Sequence, residues 1–72
     1  KVKGTVISVK SNEIQVDIRR KQTGYIPYSE YNDDPNADPQ TELKPGDQLD
    51  LIIMKTNNAE GVIMLSKKRY VS

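Results

Sequence analysis

Two clusters of basic residues and a run of tyrosines are the side chains of this 72-residue chain whose types and spacing point to binding chemistry. The clusters and the tyrosines are Arg19, Arg20 and Lys21, then Lys67, Lys68 and Arg69, and Tyr25, Tyr28 and Tyr31. Single-stranded nucleic acid requires such a combination, because its phosphates pair with cations and its bases stack on aromatic rings. Two ordinary structural roles of these residues argue against a nucleic-acid site. Charged turns are usually only solvated, and we expect Tyr25 and Tyr28 to cover the core with their hydroxyls at the surface.

The sequence offers no catalytic or metal-binding set of residues. It contains no histidine and no cysteine, and none of its serines stands in a recognisable nucleophile setting, so no enzyme is predicted. Asp33, Asp34 and Asp38 lack the alternating oxygen ligands and the distal glutamate of a calcium loop. We therefore predict neither a metal nor a cofactor.

Length, hydropathy and charge are those of a small single domain. A chain of 72 residues supports one core, and no apolar run approaches the roughly 18 residues that a membrane span needs. The first residues lack the pattern of a signal peptide, and the absence of cysteine fits a cytoplasmic location. Lys and Arg number 11 against 10 Asp and Glu, so only the distribution of charge can argue for nucleic-acid binding.

Five short segments have the composition and alternation of β-strands. The alternation is clearest where Ile14, Val16 and Ile18 share one face. In the first segment the apolar residues change phase between Val6 and Ile7, which predicts a bulge. The predicted strands are 2–9, 13–19, 23–27, 48–56 and 62–66.

The connections between these strands are short except for the one that joins the third to the fourth. It begins with a predicted helical turn at 28–31 and continues as a long exposed loop at 32–41, rich in proline, aspartate and asparagine. This arrangement predicts an all-β fold, a closed five-stranded Greek-key barrel, because closure removes the exposed edges of an open sheet. We place the domain at 1–66 and a basic tail or linker at 67–72.

The spacing of individual residues resembles that of the S-one-type RNA-binding repeat, an OB-fold of the ribosomal protein S-one family. The resemblance covers essentially the whole chain. The matching positions are Gly4, Val6, Val9, Val16, Ile18, Gly24, Ile26, Ser29 and Glu30, then Lys44, Pro45, Gly46 and Asp47, and finally Gly61, Ile63, Leu65 and Ser66. Val16 with Asp17 and Ile26 with Pro27 make the chain most similar to the divergent N-terminal repeat of that family.

The resemblance implies a nucleic-acid (RNA)-binding module whose usual RNA platform is altered. Two family aromatics align with Asn12 and Gln15, and a family histidine aligns with Pro27. An acidic residue and an arginine of the family align with Asn58 and Val62. Since the residues now at the aromatic positions cannot stack as rings do, we expect weak base stacking or none.

The resemblance leaves three functions open. Because divergent N-terminal repeats of the family dock the protein on the ribosome, the resemblance favours docking a multi-repeat RNA-binding chain on a protein of the small ribosomal subunit. The docking surface would join Arg19, Arg20, Lys21 and Tyr28 to the exposed side of the second and third strands. The alternative is direct binding of single-stranded RNA through the tyrosines, Gln15 and the basic clusters. In both cases we expect neighbouring repeats in a longer chain. A regulatory domain appended to an enzyme is a third possibility.

Overall fold

The computed structural model, which describes residues 1–57 and 59–70, is a closed barrel of five β-strands. The strands are β1 (Val2–Val9), β2 (Glu13–Asp17), β3 (Thr23–Pro27), β4 (Gln48–Asn57) and β5 (Val62–Ser66). They are hydrogen-bonded in the order β1-β2-β3-β5-β4, and the contact of β4 with β1 closes the barrel. Strands β3 and β5 run parallel, whereas the other neighbouring pairs are antiparallel. The predicted all-β Greek-key barrel is confirmed.

Alternation along the strands fills the barrel with branched apolar side chains. The apolar side chains that are fully or almost fully buried are Val6, Ile14, Val16, Ile26, Leu51, Ile63 and Leu65. Two glycines let neighbouring backbone and side chains come close. A Cβ at Gly24 would stand 2.6 Å from Leu65 Cδ1, and one at Gly4 would stand 2.8 Å from Leu51 Cδ1. The close packing of this core therefore depends on residues that have no side chain.

Two irregularities bend the strands of the barrel. The register of β1 against β2 shifts between Val6 and Ser8, which confirms the predicted bulge and leaves Ile7 exposed. The register of β4 against β5 shifts between Ile53 and Lys55. Each shift adds one unpaired residue to its strand and increases the local bend that a small barrel needs.

Strand β2 is shorter than the predicted segment 13–19. It ends at Asp17, although the side chain of Ile18 is still buried. The Arg19 backbone has φ 61°, and its N–H donates to Asp17 Oδ1 at 2.9 Å. The aspartate side chain thus starts a turn that competes with the strand, which periodicity alone could not reveal. Strand β4 extends one residue beyond the prediction, to Asn57.

The connection between β3 and β4 is more ordered than an exposed loop. The predicted turn is a short 3₁₀ helix, Tyr28–Glu30. The predicted exposed loop at 32–41 is present up to residue 38 and then gives way to a short helix, α1, which spans Pro39–Glu42. Asp38 caps this helix by accepting the Gln40 N–H at 3.0 Å, and its own N–H donates to Glu42 Oε2 at 3.1 Å. This reciprocal capping, with Pro39 at the first helical position, stabilises a single turn.

Among the residues that the structure describes, no helix is long and apolar enough to cross a membrane.

Candidate functional site

One row of side chains crosses all five strands on the outer surface of the barrel. Each member lies opposite the next across a pair of strands, from β1 through β2, β3 and β5 to β4. We call this row the outer belt; its members are Ser8, Gln15, Tyr25, Met64 and Lys55. Directly opposite residues of antiparallel strands have Cβ atoms about 4.5–5.5 Å apart. Tyr25 and Met64 are partners across the parallel pair β3 and β5, so the belt continues across that step as well. A hydroxyl, an amide, an aromatic ring, a thioether and an ammonium group follow one another along it.

Tyr25 is the aromatic side chain of the outer belt. Its chain neighbours Gly24 and Ile26 are both buried, so the alternation of β3 turns Tyr25 outward, where it is half-buried between Gln15 and Met64. Tyr25 is absent from the residues packed against the core. The expectation that it covers the core is wrong, because the phase of β3 could not be read from a five-residue strand with one large side chain.

Of the other two candidate tyrosines, Tyr31 is part of the core and Tyr28 packs against it. Tyr28 packs against the core, as predicted, and its hydroxyl donates to the Lys10 carbonyl. Tyr31 is 4% exposed, and its hydroxyl donates to Glu42 Oε1 at 2.6 Å. Burial, together with the hydrogen bond to the Glu42 carboxylate, raises the pKa of Tyr31 to about 12. The Tyr31 ring is thus buried, and the Tyr28 ring lies against the core with its hydroxyl engaged.

The positions that align with the family platform hold no aromatic ring, and those that the structure describes lie around the belt. Asn12 is exposed in the turn between β1 and β2, and Pro27 ends β3 opposite Glu13. Val62 begins β5 opposite Asn57 of β4. Asn58 lies outside the described residues. Of the described positions in this set, Gln15 alone is part of the outer belt.

The basic turn, Arg19 to Lys21, presents free positive charge. All three side chains are exposed, and within the described ranges 1–57 and 59–70 none of them forms an ion pair. The turn lies beside the hairpin between β4 and β5, since the Thr23 N–H donates to the Gly61 carbonyl at 3.3 Å. This turn can therefore meet a phosphate without first breaking an internal salt bridge.

The second basic cluster, Lys67 to Arg69, is engaged within the protein. Arg69 Nε donates to Glu30 Oε1 at 2.9 Å, and Lys68 Nζ lies 3.0 Å from Asp33 Oδ1. Lys67 Nζ lies 5.0 Å from the centre of the Tyr31 ring. Backbone contacts add to these, because the Glu30 carbonyl accepts the N–H groups of Lys67 and Lys68 at 3.0 and 3.1 Å. We call these contacts the C-terminal clasp.

Glu30 is the centre of the C-terminal clasp. It is only 8% exposed, yet the hydrogen bond from Arg69 and a second one from Ser66 hold the pKa of its carboxyl group below the usual value, against the effect of burial. Sequence reasoning placed Arg69 among binding residues and missed its partner, since the two are distant along the chain. In the sequence, Ser29 and Glu30 stand out only by their match to the family spacing.

Within the described part of the chain, no group of three or more acidic side chains is placed to hold a metal ion. Asp33 pairs with Lys68, and Asp38 caps α1. The loop aspartates thus have structural partners of their own.

The strand order and the connection between β3 and β4 define the class of this protein. A closed five-stranded barrel in the order β1-β2-β3-β5-β4, with a short helix between β3 and β4, is an OB-fold. The chain belongs to the S1 RNA binding domain family, whose model matches residues 1–68.

Relatives with matching sequences are ribosomal proteins. The chain is 34% identical over 68 residues to small ribosomal subunit protein bS1 of Mycolicibacterium smegmatis, covering 94% of this chain and 14% of that protein. It is 34% identical to bS1A of Synechocystis sp., with 94% and 21% covered, and 35% identical to bS1 of Leuconostoc lactis, with 94% and 17% covered. The chain thus spans about a fifth or less of the length of the curated relatives it matches.

Solved structures of low sequence identity share the fold. The solution structure of GSP13 from Bacillus subtilis superposes with a TM-score of 0.82 at 21% identity, covering 93% of this chain and 52% of that one. A chain in the a/eIF2alpha-aDim2p-rRNA complex from Pyrococcus horikoshii superposes with a TM-score of 0.83 at 18% identity, covering 94% and 42%. These similarities support the barrel architecture.

Proposed function

We propose that the chain is an RNA-contacting module of a bS1-type ribosomal protein, which binds single-stranded RNA weakly and serves translation as part of a longer multi-repeat chain. The observation that carries this proposal is the Tyr25 ring, half-buried on the outer surface between Gln15 and Met64. We assign the module no catalytic role. We place it in the cytoplasm, because the ribosomal relatives are bacterial proteins and bacterial ribosomes work there.

The expected affinity follows from the number of rings. A stacked base contributes about 1–3 kcal/mol, and the outer belt offers one ring where the family platform offers several aromatic groups. Phosphate contacts from the basic turn add an electrostatic part that does not depend on sequence. A module with one ring and three free cations binds RNA less tightly than a complete platform does, and neighbouring repeats would supply the remaining affinity.

Replacing Tyr25 with alanine tests the ring directly. We expect Tyr25→Ala to weaken binding of a mixed-sequence RNA of about ten nucleotides at least fivefold, since one base loses its stacking surface. Tyr28→Ala is the matched control, because it also removes one ring but from the core side of the barrel. It should leave the dissociation constant within a factor of two to three for the folded fraction. Equal effects of the two substitutions in a fluorescence anisotropy titration would contradict the proposed role of Tyr25.

The two basic clusters should differ in their effect on salt dependence. Replacing Arg19, Arg20 and Lys21 with glutamine is expected to reduce the slope of log affinity against log salt by up to about 2, because each phosphate contact on a single strand contributes about 0.7. The same replacement at Lys67, Lys68 and Arg69 should leave the slope nearly unchanged, because Lys68 and Arg69 already have carboxylate partners. Equal slope changes for the two variants would show that the clasp opens to bind RNA.

A second candidate function is docking on a protein of the small ribosomal subunit. It is favoured by the absence of aromatic side chains at Asn12, Gln15 and Pro27 and by the carboxylates of Glu13 and Asp17 on β2, which repel phosphate. Co-sedimentation of the domain with small ribosomal subunits, with and without excess RNA oligonucleotide, separates the two functions. A docked module stays with the subunits when RNA and salt are added, whereas an RNA-bound module is displaced.

A further inference from the structure

Four apolar side chains lie on the outer surface of the β4–β5 hairpin, where they are half-buried or exposed. They are Ile52, Met54, Val62 and Met64, and we call them the hairpin patch. Their direction follows from strand alternation, because Leu51, Ile63 and Leu65 on the same two strands are buried. The patch residues do not pack against the core, whereas Ile53 of β4 does. Their apolar surface is thus available to a partner.

The bulge in β4 makes Met54 the most exposed member of the hairpin patch. Ile53 pairs with Leu65 and Lys55 pairs with Met64, so Met54 has no partner on β5 and is 38% exposed. A contiguous group of apolar side chains at the surface of a soluble protein marks a contact site. Methionine suits such a site, because its flexible side chain adapts to the shape of a partner.

Positive charge borders the hairpin patch. Lys55 lies opposite Met64, and the basic turn lies beside the hairpin. Lys55 is exposed like the basic turn, and within the described ranges 1–57 and 59–70 it forms no ion pair. Asp17 and Glu60 are the acidic side chains near these four cations, and Asp50 on β4 is paired with a lysine of β1. The border is therefore positive on balance, which complements an acidic partner.

The closed barrel restricts how a partner can bind to the hairpin patch. Strand β5 lies between β3 and β4, and β4 lies between β5 and β1, so neither strand has a free edge. An extended segment cannot add to this sheet through its backbone, and contact must be made by side chains. An amphipathic helix offers such a contact, because its apolar face can cover the patch while its polar face stays in water.

We propose that the hairpin patch docks an acidic amphipathic helix of another protein. The apolar face of the helix covers Ile52, Met54 and Met64, and its flanking carboxylates pair with Lys55 and the basic turn. A protein fits this surface better than RNA does, because aliphatic side chains offer a base no aromatic face to stack on. The proposal goes beyond the RNA contact of Tyr25 and gives the docking function a surface on this chain.

Three synthetic peptides test the chemistry of the partner. The first is a helix of about 18 residues, or five turns, with leucine on one face and glutamate on the other. The second replaces each glutamate with lysine, and the third replaces each leucine with serine. In NMR titrations of the methyl-labelled domain, we expect the first peptide to bind at least about tenfold more tightly than either control. The methyl signals of Ile52, Met54 and Met64 should shift on binding.

Variants at exposed positions show whether the hairpin patch carries this binding. Met54→Gln should weaken binding of the acidic peptide by about threefold to tenfold, because a contact side chain becomes polar. Ile7→Gln is the matched control, because Ile7 is an equally large apolar side chain, 48% exposed on β1 outside the hairpin. It should change the dissociation constant less than twofold. Lys55→Glu should weaken the acidic peptide and strengthen the lysine peptide. Amide spectra of the free variants confirm that each is folded.

The outcomes separate this inference from the proposed RNA function. Equal affinity for the acidic and lysine peptides, equal losses for Met54→Gln and Ile7→Gln, or no peptide binding at millimolar concentration overturns the docking surface and leaves RNA binding intact. A mixed-sequence RNA of about ten nucleotides is titrated in parallel. RNA that shifts the Ile52 and Met54 methyl signals as strongly as the peptide does assigns the patch to RNA and overturns the inference. Peptide binding without any RNA binding supports the docking surface and overturns the RNA function alone.

Discussion

Replacing Gly24 with alanine is expected to destabilise the barrel by about 1–3 kcal/mol, the usual cost of forcing an extra methyl group into a packed core. The new Cβ would lie 2.6 Å from Leu65 Cδ1 and 3.1 Å from Val16 Cγ2, and both of these side chains are fully buried. Domains of this size have a free energy of unfolding of only about 4–11 kcal/mol, so the loss is a large fraction of the total. Urea denaturation followed by circular dichroism measures it.

The clash at Gly24 can be traced to its partner with a second substitution. Leu65→Val removes the Cδ atoms and leaves a small cavity in the wild-type core, whereas in the Gly24→Ala background it also relieves the clash. We therefore expect Leu65→Val to cost at least about 1 kcal/mol less in the Gly24→Ala background than in the wild type. Gly46→Ala is the control, because nothing lies within 4 Å of a Cβ there and its cost comes from the backbone φ of +98°. Additive effects at positions 24 and 65 would contradict this account of the core.

Removing the charge of Glu30 is expected to destabilise the protein and to alter its response to acid. At neutral pH Glu30→Gln weakens the bond from Arg69, and hydrogen bonds to charged groups contribute about 1.5–3 kcal/mol. The lower half of that range applies here, because the Arg69 side chain is 56% exposed and therefore screened by solvent. Thermal unfolding of the two proteins at several pH values measures the difference.

The sign of the pH effect follows from the direction of the pKa shift. The pKa of Glu30 in the folded protein is lowered from 4.5, chiefly by the hydrogen bond from Arg69. Its contribution to stability is therefore complete above about pH 4.5 and is lost as the pH falls through the lower, folded value. The stability difference between wild type and Glu30→Gln should shrink across that acidic range. A difference that stays constant down to the acid-unfolded state would show that the clasp is not ionic, and Arg69→Gln should reproduce the behaviour of Glu30→Gln.

The sequence contains enough information for the strands but not for the surfaces they create. Alternation in segments such as Ile14 to Ile18 reports which face of a strand is buried, so strand positions and the bulge in β1 could be predicted. The end of β2 could not, because a hydrogen bond from the Arg19 N–H to the Asp17 carboxylate decides it. The helix α1 was missed because a single capped turn has no apolar period.

The candidate site required the pairing of strands that are distant in sequence. Ser8, Met64 and Lys55 join Gln15 and Tyr25 only through the register of β1 with β2 and of β5 with β3 and β4. No local pattern encodes that register. The same is true of the clasp, in which Arg69 meets Glu30. The sequence shows which residue types favour binding. It does not show which of these residues are free and which already have partners within the fold.

The parallel contact between β3 and β5 bears on how the chain folds during synthesis. Strands β1, β2 and β3 follow one another as neighbours and can pair as soon as they leave the ribosome, while β5 is the last strand and must insert between β3 and β4. Until it does, the edges of β3 and β4 are unpaired, and open edges of this kind recruit other chains. Closure of the barrel is therefore a late, long-range step, and a nascent chain that stalls before Val62 is exposed to aggregation.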